Sequence, residues 1–167
     1  FPHMMMPFVI GRPSSTRALE HSLLGDKRIF LAAQHDATND DPTSNDIYTM
    51  GCVANIVQSL KLPDGNIKVL VEGVDRARIM EWKEDKGFYR VEIKVIEKQN
   101  DGSSNVEDTM NRVMSLFEQY VKLSNNMHYD TIVAAVRVDD PDKLADTIAA
   151  NLVLSVDDKQ NLLEIIS

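Results

Sequence analysis

Apolar and polar positions along the chain change their spacing once, near residue 105. Before that point they recur with a period of about two, as in strands, and after it with a period of about 3.6, as in helices. The best organised stretch is 60–79, which reads as two strands around a tight turn. Ile67, Val69 and Val71 alternate with Lys68, Leu70 and Glu72. In the turn, Pro63 presets φ, Asp64 can bond its own backbone and Gly65 accepts positive φ. Residues 51–60, with Val53, Ile56 and Val57, form the preceding strand. Gly73 marks a bulge or sharp bend before 74–80 resumes the run. A long bent hairpin of this kind organises a small barrel or rolled sheet.

The apolar run at 4–10 is broken by Pro7, which confines it to a sheet edge or a bulge. Ser14 or Ser15 caps a helix over 16–24, with Ala18, Leu19 and Leu23 inward, Leu24 at the margin and Gly25 as the stop. Residues 28–34 make a short strand, and 35–46 a polar loop. In 88–97, Tyr89, Val91, Ile93 and Val95 take one face while Arg90, Glu92 and Lys94 take the other. Residues 1–98 therefore hold five or six strands and one helix.

The polar stretch 99–105 (QNDGSSN) is a linker. Beyond it Val106, Met110, Val113, Met114, Phe117, Tyr120 and Val121 line one helix face. Asp140 caps a second helix with Pro141 in its first turn and a stripe of Leu144, Ala145, Ile148, Ala149 and Leu152. Ser155 starts a third, carrying Leu162, Leu163 and Ile166, and 129–138 is a further helix or an irregular connector. The class is α+β: a β-rich lobe over 1–98, a linker over 99–105 and a helical lobe over 106–167.

A hydrophobic fraction of 43% with 26% charged residues in 167 is that of a globular protein. No apolar run approaches the roughly 18–20 residues that a membrane helix needs. The net charge of −8 is uneven: the balance is −2 over 1–104 and −6 over 105–167. An acidic helical lobe repels phosphate backbones, which disfavours nucleic acid as a partner. Phe1 in place of an initiator Met, and a helical pattern that runs to the end, read as a segment of a longer polypeptide. The single Cys52 leaves no internal disulfide framework and fits a reducing compartment.

Catalytic motifs are missing. No glycine opens a G-x-x-x-x-G-K-[ST] phosphate loop, and there is neither a dinucleotide fingerprint nor a G-x-S-x-G elbow. Cys52 sits in an apolar strand and reads as a core thiol rather than a nucleophile. His3, His21, His35 and His128 lack metal-ligand spacing. The acidic loop of Asp36, Asp40, Asp41 and Asp46 has Asp41 where a calcium loop needs Gly and Ile47 where it needs Glu. Glu84 and Asp85 are neighbours in an expected turn, with nothing aiming them at one point. Two features stay open. Met4, Met5, Met6 and Phe8, with Met50, form core and edge strand or an adaptable surface for apolar polypeptide. Lys68, Arg76, Arg78, Arg90 and Lys94 make an ordinary solvated strand face or a contact for RNA or an acidic partner.

The stretch LPDGNIKVLVEGVDRARI, at 62–79, resembles the hairpin of the amino-terminal domain of the Lon family of ATP-dependent proteases. So do FPHMMMPFVIGRPSSTRALE at the start, IFLAAQHDATNDDP at 29–42 and IYTMGCVANI at 47–56. LADTIAANL at 144–152 and KQNLLE at 159–164 are similar to the helical second half of that region. The resemblance implies a PUA-like β pseudobarrel lobe followed by an α-helical bundle lobe, placed ahead of an AAA+ ATPase module and a Ser–Lys protease module. It implies a non-catalytic role in binding unfolded or damaged protein and in supporting a hexamer, with weak self-association of the domain. Met4, Met5, Met6, Phe8 and Met50 are the expected contacts for substrate protein. No catalytic residue, metal or cofactor is expected in this stretch, ATP and magnesium belonging to the full-length relatives. The family implies a bacterial cytoplasm, or alternatively a mitochondrial matrix, with no membrane contact. A purely structural assembly domain and a stand-alone RNA-binding domain are the alternatives.

Overall fold

The computed structural model describes residues 1–97, 105–124 and 138–166. Most of the expected linker at 99–105, the expected element at 129–138 up to residue 137, and His128 lie outside the described residues. One antiparallel sheet contains β1 (Met5–Ile10), β2 (Arg28–Leu31), β3 (Met50–Lys61), β4 (Ile67–Asp85) and β5 (Phe88–Val95). The described helices are α1 (Pro13–Leu24), α2 (Val106–Leu123), α3 (Pro141–Asn151) and α4 (Val156–Glu164).

The β3–β4 hairpin is the spine. At its turn Gly65 has φ of 88° and donates to the Leu62 carbonyl at 3.0 Å, while the Asp64 carboxylate accepts from the Asn66 amide at 3.0 Å. β4 runs unbroken through Gly73. The expected irregularity there is a bulge: Ala54 pairs with Gly73 but Val53 with Asp75, so Val74 is the extra residue. A second register shift leaves Val57 unpaired between Ile56 and Gln58.

β1 pairs with β4 over residues 67–72 and β5 with the same strand from Ala77 onward, so the two share one edge of β4. β2 lies on the far side of β3. The sheet is open, so the closure expected of a pseudobarrel is not found. β1 and β2 do not pair; α1, which connects them, packs on β2 and β5 and fills the concavity with the wholly buried Leu19. Around Leu19 lie Ile10, Ala54, Ile56, Ile67, Val69 and Val71, with Phe8, Leu23, Ile29 and Leu31 at the margin. Each fully buried Leu, Ile or Val among them contributes about 1.5–3 kcal/mol by leaving water.

Several local expectations shift. α1 begins at Pro13 rather than after Ser14 or Ser15, because proline is pre-organised for the first helical position; Arg12 is its N-cap. Leu24 is exposed. β2 ends at Leu31, and Gln34 makes only an isolated bridge to Ile47. On β5, Val91 and Ile93 are half-buried but Tyr89 and Val95 are exposed, since this strand is the margin of the sheet. Glu84 and Asp85 close β4, and the turn is Lys86–Gly87, with φ of 54° and 80°.

The helices build a separate core of Phe117, Val121, Leu144 and Ile148, flanked by Met110, Met114, Tyr120, Val138 and Leu152. Asp140 caps α3 by accepting from the amides of Asp142 and Lys143, and Ser155 caps α4 by accepting from that of Asp158.

Candidate functional site

Strand register decides which apolar side chains reach solvent. Met5 sits opposite Glu72, Pro7 opposite Leu70 and Val9 opposite Lys68; across β4, Leu70 faces Gln58 and Lys68 faces Leu60. Side chains alternate between faces, so Met5, Pro7, Val9, Leu70 and Leu60 share one face. Phe8, Ile10, Ile67, Val69 and Val71 share the other, which is the core. The first face is open: Met5 is 50% exposed, Val9 54% and Leu60 58%. The bulged Val57 is exposed as well, and Leu70 is half-buried among them. Lys68 and Glu72 flank Leu70 on the central strand of this face, so the apolar side chains of β1 and β3 lie on either side of a row that carries both charges.

The expected contacts divide on this geometry. Met5 belongs to the open face. Met6 has the phase of the core side yet is 50% exposed, and Met4 is half-buried. Phe8 turns onto the core. Met50 is 1% exposed and leaves the list of surface contacts, because α4 covers the start of β3 and Gln160 donates to the Met50 carbonyl at 3.0 Å. Val9, Val57 and Leu60 reach solvent and Leu70 is half-buried there, although the sequence reading did not single them out. Their signal was apolar side chains at places that the hairpin's own alternation assigns to solvent, Leu70 between Lys68 and Glu72 above all.

The basic residues fall in separate settings. Arg76 is bound to the helical lobe: both terminal nitrogens donate to the Asp146 carboxylate, and Nε donates to the Leu163 carbonyl at 3.1 Å. Burial pushes the Asp146 carboxyl above its ordinary value, against the opposing pull of Arg76. Arg78 lies opposite Lys94 and Arg90 opposite Lys83, while Lys68 is at the other end of β4. Glu81 and Glu92 lie opposite each other between those two basic pairs, and Lys83 bonds Glu92, so this face of β4 and β5 carries mixed charge. Cys52 is the cross-strand neighbour of Arg76, and burial raises its thiol pKa, which suits a core residue. Among the described residues no group of three His, Cys, Asp or Glu side chains could hold a metal ion, and no helix is long and apolar enough to cross a membrane.

Comparison with known proteins gives this surface a context. The family model of the ATP-dependent protease La (LON) substrate-binding domain matches residues 1–167. The Lon protease of Solibacter usitatus is 57% identical over 99% of the chain, and that of Azospirillum brasilense 43% identical over 98%. The chain spans about a fifth of the length of these relatives, 20% in both cases. The N-terminal domain of a Mycobacterium avium complex Lon protease superposes with a TM-score of 0.75 at 18% identity, covering 99% of this chain and 84% of that one, which is a likeness of fold. With the match running from the first residue to the last, the chain belongs to the family of Lon substrate-binding domains.

Proposed function

We propose that this chain is the non-catalytic substrate-capturing part of an ATP-dependent protease, and that it holds unfolded or damaged polypeptide on the open face of β1, β4 and β3. The observation that carries the reading is the exposure of Met5, Val9 and Leu60 around the half-buried Leu70, apolar side chains set among Lys68, Glu72 and Gln58 with the exposed Val57 nearby. Methionine and branched side chains on a regular sheet accept varied apolar segments, as a quality-control function requires. Folded proteins bury such segments, so preference for the unfolded state follows without recognition of any one sequence.

In the assembled enzyme several copies act together, so weak capture by each is sufficient. The domain supports that hexamer and self-associates weakly when isolated. Hydrolysis of ATP and of peptide bonds, with magnesium, belongs to the remaining length of the relatives, and the working compartment is the cytoplasm.

The test is fluorescence anisotropy of a labelled polypeptide in unfolded and in folded form, at low and at high salt. Binding of the unfolded form alone, unchanged at high salt, is the expected result. Absence of binding at high micromolar concentration would transfer the role to assembly, with recognition elsewhere in the protease. Binding to RNA that falls steeply with salt would favour the nucleic-acid alternative.

A further inference from the structure

The two lobes own separate hydrophobic cores, one centred on Leu19 and one on Phe117, and no residue is shared between them. What joins them includes a set of hydrogen bonds beside the buried Met50 and Cys52. Arg76 of β4 reaches Asp146 of α3 and the Leu163 carbonyl of α4. Gln160 of α4 donates to the Met50 carbonyl at the start of β3, and the Tyr48 hydroxyl donates to Asp157 at 2.8 Å. Asp146 and Gln160 are the buried polar residues of the described molecule, and both lie at this junction.

We infer that Arg76, Asp146 and Gln160 form a latch, and that the helical lobe swings off β3 and β4 as a unit while the sheet stays folded. A contact confined to α4 and Asp146 on β3 and β4, with two apolar side chains and a few hydrogen bonds, separates at less cost than either core unfolds. Once open, water takes over as partner for each of the latch groups, which the two cores cannot offer to their own apolar side chains. The opening would uncover Met50 and Cys52, two apolar side chains on consecutive alternate positions of β3 that are buried in the closed arrangement. It therefore adds a second apolar strip to the sheet, hidden until the latch breaks. This inference concerns the lobe junction and does not depend on the proposed capture of substrate by the open face.

Cys52 is the sole cysteine and the direct neighbour of Arg76, so its reaction with a thiol reagent reports the opening. The labelling rate of the whole chain is measured against denaturant concentration, with global unfolding followed separately by Trp82 fluorescence. Under the latch, labelling in native buffer is faster than global unfolding allows and depends only shallowly on denaturant. Gln160→Leu, which leaves the ion pair intact, speeds labelling about tenfold or more with little change in the Trp82 transition. Leu19→Ala, which weakens the sheet core, moves the Trp82 transition and leaves native-buffer labelling nearly unchanged. Labelling that carries the full denaturant dependence of global unfolding, and that follows Leu19→Ala rather than Gln160→Leu, would overturn the latch. Arg76→Met is the stronger form of the same test if it folds.

Discussion

Arg76 on β4 and Asp146 on α3, 70 positions apart in the chain, meet through two charge-assisted hydrogen bonds, with the Asp146 side chain 1% exposed. Removing one partner strands the other. Arg76→Met alone is expected to cost the closed arrangement about 3–5 kcal/mol, because a buried carboxylate loses its counter-ion, with opening of the latch setting the upper limit of the loss. The upward push of burial on Asp146 says that the charged form is held at a disadvantage. Replacing both at once, Arg76→Met with Asp146→Leu, is therefore expected to restore most of the loss. Urea unfolding of the two single variants and the double variant checks the pair.

The open sheet face predicts a separation between binding and stability. Met5→Ser, Val9→Ser and Leu60→Ser lie on exposed positions and should change stability by no more than about 0.5 kcal/mol. Each should weaken binding to an unfolded polypeptide by about threefold to tenfold, since burying one such side chain is worth on the order of 1 kcal/mol. Met50→Ser should do the reverse in the closed protein: a loss of several kcal/mol for a fully buried methionine, about 2–5 by analogy with large-to-small core changes. Anisotropy and thermal melts on the same four variants distinguish the two classes.

Two glycines differ in the reason they are needed. A Cβ on Gly51 would lie 2.3 Å from the Leu31 carbonyl oxygen and 2.6 Å from the Phe30 ring, so β2 would have to move off β3. Gly51→Ala is expected to cost about 1–3 kcal/mol through overpacking. Gly65 has open space around it, and there the cost of alanine is conformational, about 1–2 kcal/mol for φ of 88°. Asn at 65 should recover part of that loss and at 51 none of it, which thermal unfolding would reveal.

The loop between β2 and β3 predicts an acid-sensitive element. Hydrogen bonds from the Thr38 side chain and amide hold the Asp36 carboxyl below its ordinary value of 3.8, and Thr43 does the same for Asp46. A carboxyl whose folded pKa is depressed contributes stability above its unfolded pKa and loses it as pH falls through the folded value. The hydrogen bonds of Thr38 and Thr43 to these carboxylates should therefore be kept above the ordinary value of 3.8 and lost as pH falls through the lower folded values. Carboxyl titration by NMR should give both midpoints below 3.8, and Thr38→Val or Thr43→Val should raise the corresponding one.

Most of the elements were written in local pattern. The alternation of Ile67, Val69 and Val71 named the buried face of β4, and Pro63–Asp64–Gly65 named its turn. Asp140 and Ser155 named two helix starts, because a capping side chain acts on amides two or three residues away. The Lon resemblance, carried by stretches along the whole chain, named the family. These signals survive in one dimension because each depends on neighbours in sequence.

What the alternation did not carry was the partner of each face. Met50 reads in sequence first as core and next as adaptable apolar surface, and α4, folded back over more than a hundred intervening residues, decides that it is core. Arg76 reads as one more basic strand residue until Asp146 is placed beside it. The open edge of the sheet depends on α1 filling the place where β1 and β2 would have met. Residues far apart in the chain are brought together by packing, and packing between lobes leaves no period in the sequence. The chain itself therefore specified the strands, the helices and the family, while the tertiary structure decided which apolar residues remain outside.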